Sequence, residues 1–207
     1  MKYSHSDKDL YIHKIIFNGL YKLSAIESSV FIFFVFIVFT PLFAAGIGPS
    51  TNMSTNANTT FLTYENSTRG VKIDYPKDWT PMIQYGLAFL SPKENSSDTF
   101  REGLTVARGH HGNESISTLA AQVLKFYNSS LPSFKLVESK GTTFHGNPAQ
   151  SLVYTFNLPG NGTIKVLESG MTENNNIYIF RYVAQENKYD SYLPTINRMI
   201  DSFKATN

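Results

Sequence analysis

Three runs in the second half of the chain limit its fold more than anything else: "QSLVYTFNL", "GTIKVLESGM" and "NIYIFRYVAQ". They are rich in β-branched and aromatic residues, and they are separated by "PGNG" and "ENNN", whose residues tolerate positive φ. That combination predicts a meander of three antiparallel strands joined by hairpin turns. In "IYIFRYVA", Ile177, Ile179 and Val183 alternate with Tyr178, Phe180 and Tyr182, so the strand is apolar on both faces. A strand of that kind belongs in the middle of a sheet covered on both sides.

Shorter strands precede the meander. Phe61, Leu62 and Tyr64 open the first; Val71, Ile73 and Tyr75 alternate with Lys72 and Asp74 in the second, which Pro76 ends because it has no N–H to donate. "IQYGLAFLSP" and "GLTVARG" read as two more, and "FKLVESKGTTF" as another strand or a bent pair. Two amphipathic helices can cover the sheet. "SISTLAAQVLKFYNSS" begins with Ser/Thr caps and sets Leu119, Val123, Leu124 and Tyr127 on one side. Near the C-terminus, Tyr189, Tyr192, Leu193, Ile196, Met199, Ile200 and Phe203 keep helical spacing, and Pro194 places the start near Asp190 or Ser191 if proline is confined to the first turn. The fold class expected is α+β, an antiparallel sheet with helices packed on it.

The N-terminal quarter has a different character. "VFIFFVFIVFTPLFAAGIG", residues 30–48, carries no charge and is long enough to cross a bilayer as a helix. Two readings stand: an uncleaved anchor, or a signal peptide whose apolar core ends at "LFAAG". Lys2, Lys8, Lys14 and Lys22 precede it and no Lys or Arg follows until Arg69, so residues 1–29 are expected in the cytoplasm and the remainder outside. The expected parts are residues 1–29, a transmembrane helix or signal peptide at 30–48, a polar tether at 49–60 and a folded domain at 61–207. The chain would then be a single-pass membrane protein, or secreted if the leader is cut. Asn52, Asn58, Asn66, Asn95, Asn113, Asn128 and Asn161 each open an N-x-S/T triplet, all beyond the apolar run, and are candidate glycosylation sites. Beyond residue 48 the charges nearly cancel, 14 basic against 13 acidic with no basic block, which argues against a nucleic-acid partner. The absence of cysteine excludes disulfides, thiolate metal sites and thiol nucleophiles.

Read together, "FLTYENSTRGVKIDYPKDW", a strand ending "AFLSP", a helix in mid-chain, "GTTFHGNPAQSLVYTF", "NNNIYIFRYVA" and a last helix ending "MIDSF" resemble the PsbP-like family. The resemblance rests on the Y-P-x-x-W ending of the second strand, a G-x-x-A turn at Gly146 and Ala149, and the final Ser202 and Phe203. It covers residues 61–204 and implies the Mog1/PsbP-like α-β-α sandwich, with helices on both faces of an antiparallel sheet. Photosynthetic members help retain calcium and chloride at the oxygen-evolving centre; the long N-terminal apolar segment departs from that type, so the chain is expected to be a non-photosynthetic member, tethered to the membrane by that segment.

Chemistry-bearing residues are sparse. His110, His111 and Glu114 gather in "ARGHHGNES", where imidazole and carboxylate suit a divalent metal provided the loop turns between the adjacent histidines. His145 is expected to cap or hydrogen-bond locally in the "FHGNPA" turn. No G-x-S-x-G, H-E-x-x-H or P-loop occurs and acidic residues are scattered singly, so no catalytic residues and no cofactor are assigned. Three functions follow in order: a non-catalytic binding or assembly module for a protein partner in the envelope; a metal or small-ligand binding extracytoplasmic protein; an enzyme whose site is assembled from distant residues.

Overall fold

A computed structural model describes residues 59–83, 86–98 and 100–206. The segment 1–29 expected in the cytoplasm, the apolar segment 30–48, the expected tether up to residue 58 and the sequons at Asn52 and Asn58 lie outside the described residues, among which no helix is long and apolar enough to cross a membrane.

Ten strands and two α-helices follow one another as β1 (Phe61–Asn66), β2 (Val71–Pro76), β3 (Thr80–Ile83), β4 (Leu87–Leu90), β5 (Gly103–His110), α1 (Ile116–Ser130), β6 (Lys135–Phe144), β7 (Asn147–Leu158), β8 (Gly162–Glu173), β9 (Asn176–Gln185), α2 (Tyr189–Ser202) and β10 (Lys204–Ala205). Seven strands form the main sheet in the order β3-β4-β5-β9-β8-β7-β6, and β1, β2 and β10 form a separate three-stranded sheet. Every pairing in both is antiparallel.

The meander appears as predicted. Asn174 and Asn175 turn β8 into β9 at φ 50° and 61°, and Gly160 and Gly162 make the β7–β8 turn at φ 86° and 79°. β9 runs between β5 and β8 with Tyr178, Phe180, Tyr182 and Ala184 fully inside. "IQYGLAFLSP" is not one strand: β3 and β4 pair with each other, Ile83 opposite Leu87, so the chain reverses where a single apolar run suggested continuity. "FKLVESKGTTF" is the single strand β6, with an irregularity between Leu136 and Glu138 that leaves Val137 as the extra residue.

Strand alternation gives the main sheet two different faces. On one, Leu152, Tyr154 and Phe156 of β7 with Ile164 and Val166 of β8 pack against Val123 and Tyr127 of α1. On the other, Phe180 and Tyr182 of β9 and Phe89 of β4 meet Ile73 of the small sheet and Ile196, Met199 and Ile200 of α2. Trp79 is buried there and meets the Tyr192 ring edge-on at 5.9 Å, where the sheet meets α2. Ser115 caps α1 by accepting from the Thr118 N–H.

α2 starts at Tyr189, which puts Pro194 in its second turn rather than its first. The helix tolerates this because it opens with a tight bond from Ser191 N–H to the Lys188 carbonyl, and Pro194 then withholds only the donor that residue 190 would have used. Ser202 ties α2 to the small sheet: its Oγ accepts from the Asp74 N–H at 2.8 Å and donates to the Met199 carbonyl at 2.6 Å.

Candidate functional site

Beside α2, the main sheet is left partly uncovered and holds an open groove of about 480 Å³, within the usual range for a binding pocket. Its floor is laid by cross-strand rows. Ser151 of β7 faces Lys140 of β6 on one side and Ser169 of β8 on the other, and Ser169 faces Phe180. Alternation sends Val153 and Leu167 to the same face one row along, and small residues in the middle row give the groove its depth. The far wall is α2, with Tyr189, Leu193, Asn197 and Asp201.

The rim is charged but largely self-paired. Lys140 meets Glu138 at 2.9 Å, and Lys165 reaches Asp190 at 3.7 Å while lying over the Tyr189 ring at 4.1 Å. The Tyr189 hydroxyl is pushed up to about 12 by burial, with Asp190 and Glu138 adding to the effect. One end is closed by the β6–β7 turn. There His145, at φ 49°, stacks on Phe144 and places Nε2 3.1 Å from the Asp201 carbonyl. The expected local role of His145 is therefore replaced by a tertiary one: the histidine satisfies a carbonyl of the last helical turn, which has no intrahelical partner.

A buried polar network occupies the opposite face, under α1. Glu168 Oε2 accepts from Arg181 Nε at 2.7 Å, Tyr127 at 2.8 Å and Tyr154 at 3.3 Å, and Arg181 also donates to the Tyr127 oxygen at 3.0 Å. Burial pushes both tyrosine hydroxyls up, and Glu168 reinforces it, so neither ionises near neutrality. Four groups that satisfy one another in a closed space fix the seating of α1 on the sheet. Nothing in the sequence marks them, because Glu168 and Arg181 sit singly on strands whose register alone makes them partners.

The candidate metal residues lie where β5 leads into α1. His110 ends β5 opposite Asn176; His111 donates its backbone N–H to the Asn175 carbonyl; Glu114 accepts from Gln122 Nε2 at 3.2 and 3.3 Å and is turned towards α1. Among the described residues no group of three or more His, Asp or Glu side chains stands close enough to hold a metal ion. Of the sequons, Asn95, Asn113 and Asn128 are exposed, Asn161 lies in the β7–β8 turn, and Asn66 is engaged as the cap of a 3₁₀ turn, accepting from the Arg69 N–H. None of these five lines the groove.

Similar folds occur among solved structures. Cyanobacterial PsbP (CyanoP) from Synechocystis sp. matches with TM-score 0.55 at 16% identity, covering 76% of this chain and 99% of its own. A putative regulator of unknown function from Pseudomonas aeruginosa matches with TM-score 0.51 at 16% identity over 69% and 94%, and LpqN of Mycobacterium tuberculosis, described as involved in cell envelope biogenesis, with 0.51 at 13% over 72% and 91%. No curated protein sequence matches the chain. The model of the PsbP-like protein family matches residues 48–205, and with the antiparallel sheets and two helices above it, the chain belongs to the PsbP-like family.

Proposed function

We propose that the chain is a non-catalytic binding module held at the outer side of the cytoplasmic membrane, and that the groove between α2 and strands β6 to β8 is its docking site. The observation that carries this reading is the groove itself: a row of small polar residues flanked by apolar walls, left open where the rest of that face is packed. Its rim lysines are paired, Lys140 with Glu138 and Lys165 with Asp190, an arrangement that suits recognition of a partner surface better than acid–base work. The involvement of LpqN in cell envelope biogenesis supports the same placement, at the level of fold alone.

The test is affinity capture of the tagged full chain from detergent-solubilised membranes after mild cross-linking. A protein that co-purifies reproducibly with the wild type and is lost with Ser169→Phe, which fills the groove, supports the reading, provided the variant melts like the parent. Retention of that protein by Ser169→Phe places docking elsewhere, and repeated absence of any partner counts against a binding module. Protease protection of the C-terminal domain in intact cells, by contrast, overturns the outward placement.

A further inference from the structure

The main sheet has two edges of different kinds. β3 is four residues long and contains Pro81, a common way of blunting an edge, whereas β6 runs for ten residues without proline. The β6–β7 hairpin closes on two residues, His145 and Gly146, both at positive φ, so Phe144 and Asn147 form its first hydrogen-bonded pair. Alternation then turns the main chain of Glu138, Lys140, Thr142 and Phe144 towards β7 and that of Ser139, Gly141 and Thr143 away from it. All of β6 up to Thr143 is exposed. The bulge at Val137 protects only one end of the strand, and beside it Leu136 and Val137 are 41% and 54% exposed.

We propose that residues 139–143 accept an extended peptide of a partner protein as an eighth strand, with alternate apolar side chains facing the groove and a basic residue towards Asp201. This rests on the reading of the groove as the docking site. Main-chain groups of Ser139, Gly141 and Thr143 supply the ladder, and the groove, whose lining includes Lys140, Thr142 and Phe144 of β6, takes the side chains on that face. Charge selects the peptide. Lys140 and Lys165 are answered by Glu138 and Asp190, while Asp201 makes no ion pair among the described residues. A second copy of this chain is the poorer occupant: pairing β6 with itself about Gly141 sets the two Lys140 side chains on a diagonal. Five paired residues per chain also bury far less than the roughly 1,200 Å² of a stable dimer. A short peptide needs no such area.

The probe is a fluorescein-labelled hexapeptide, Thr-Val-Thr-Val-Thr-Lys, added to the full chain in detergent micelles. Saturable anisotropy is expected, weakened roughly tenfold or more by Gly141→Pro, which removes one outward N–H, and kept within about twofold by Gly141→Ala. The alanine is tolerated because its Cβ would meet only Gln150 Oε1, at 3.8 Å. Hydrogen exchange of the amides of Ser139, Gly141 and Thr143 should slow when peptide is present. No saturable binding up to about 1 mM peptide, equal binding by Gly141→Pro, or unslowed exchange each overturns the proposal. Should Gly141→Pro lose its near-ultraviolet circular dichroism, the exchange measurement decides alone. A captured partner that is lost with Ser169→Phe and kept with Gly141→Pro would retain the groove as docking site and sink the added strand.

Discussion

Removing Glu168 should be far more damaging than removing it together with Arg181. Their side chains are 8% and 12% exposed, and the 2.7 Å contact is supported by two tyrosine hydroxyls. Glu168→Leu strips the carboxylate from a guanidinium that burial already disfavours, a situation that costs about 3 to 5 kcal/mol. Arg181→Met leaves the carboxylate with the Tyr127 and Tyr154 hydroxyls as donors, so it should cost less, about 2 to 3 kcal/mol. The double variant removes both buried charges but leaves the Tyr127 and Tyr154 hydroxyls chiefly with each other, so it should cost about 1 to 2 kcal/mol. The coupling energy, the double cost minus the two single costs, is then about −3 to −7 kcal/mol, well outside the additivity of independent sites. Urea denaturation of the purified chain measures all four corners of the cycle. Trp79, the only tryptophan, reports on it from the opposite face of the sheet without touching the mutated groups. Single variants within 1 kcal/mol of the parent, or a double variant as unstable as the sum of the two, would refute the reasoning.

Trp79→Ala should cost about 3 to 5 kcal/mol, because the indole is buried against Tyr192; an unchanged thermal melt would show that the cavity collapses freely. Gly70→Ala should lose at least about 1 to 2 kcal/mol in chemical denaturation, since Gly70 holds φ 66° and an added Cβ would sit 2.9 Å from the Thr206 carbonyl; a neutral result would mean that the β1–β2 turn relaxes. Alkali should unfold the domain. The Tyr189 and Tyr192 hydroxyls are raised by burial from 10.0 to about 12, so the native state holds those protons more tightly than the unfolded chain. Their contribution is complete below pH 10 and lost as pH climbs towards 12. Melting temperature against pH, with phenolate absorbance beside it, checks this, and a flat profile across that interval would contradict it.

Local chemistry made much of this fold readable. Asn174, Asn175, Gly160 and Gly162 occupy positions where only permissive residues are comfortable, so the β7–β8–β9 turns are legible from composition alone. The spacing of Tyr189, Tyr192, Ile196 and Met199 marked α2 equally well, although Pro194 shifted its expected start because a tight first turn leaves no trace in composition. What escaped was long-range. The two residues of β10 carry no periodicity and pair with β2 across more than a hundred positions, so the small sheet was not foreseen as a separate unit. The groove draws its lining from β6, β7, β8, β9 and α2, and the Glu168–Arg181 pair exists only through register. His110, His111 and Glu114 stand out because they are close in sequence, whereas the pairing of His110 with Asn176 and the Gln122 contact of Glu114 depend on long-range register and helix docking that sequence proximity does not carry.

The small sheet gives the domain a mechanical axis. β1 and β10 flank β2 on either side, and both run antiparallel to it. Phe61 starts beside Pro76 and Ala205 finishes beside Val71, so the chain enters at one end of β2 and leaves at the other. Tension applied through the two ends therefore slides β1 and β10 in opposite directions along β2. The bonds of the ladder carry that load side by side, instead of opening one after another as in a zipper. A domain pulled between an anchored end and a load at the other would resist through this three-stranded clasp before the main sheet felt the strain.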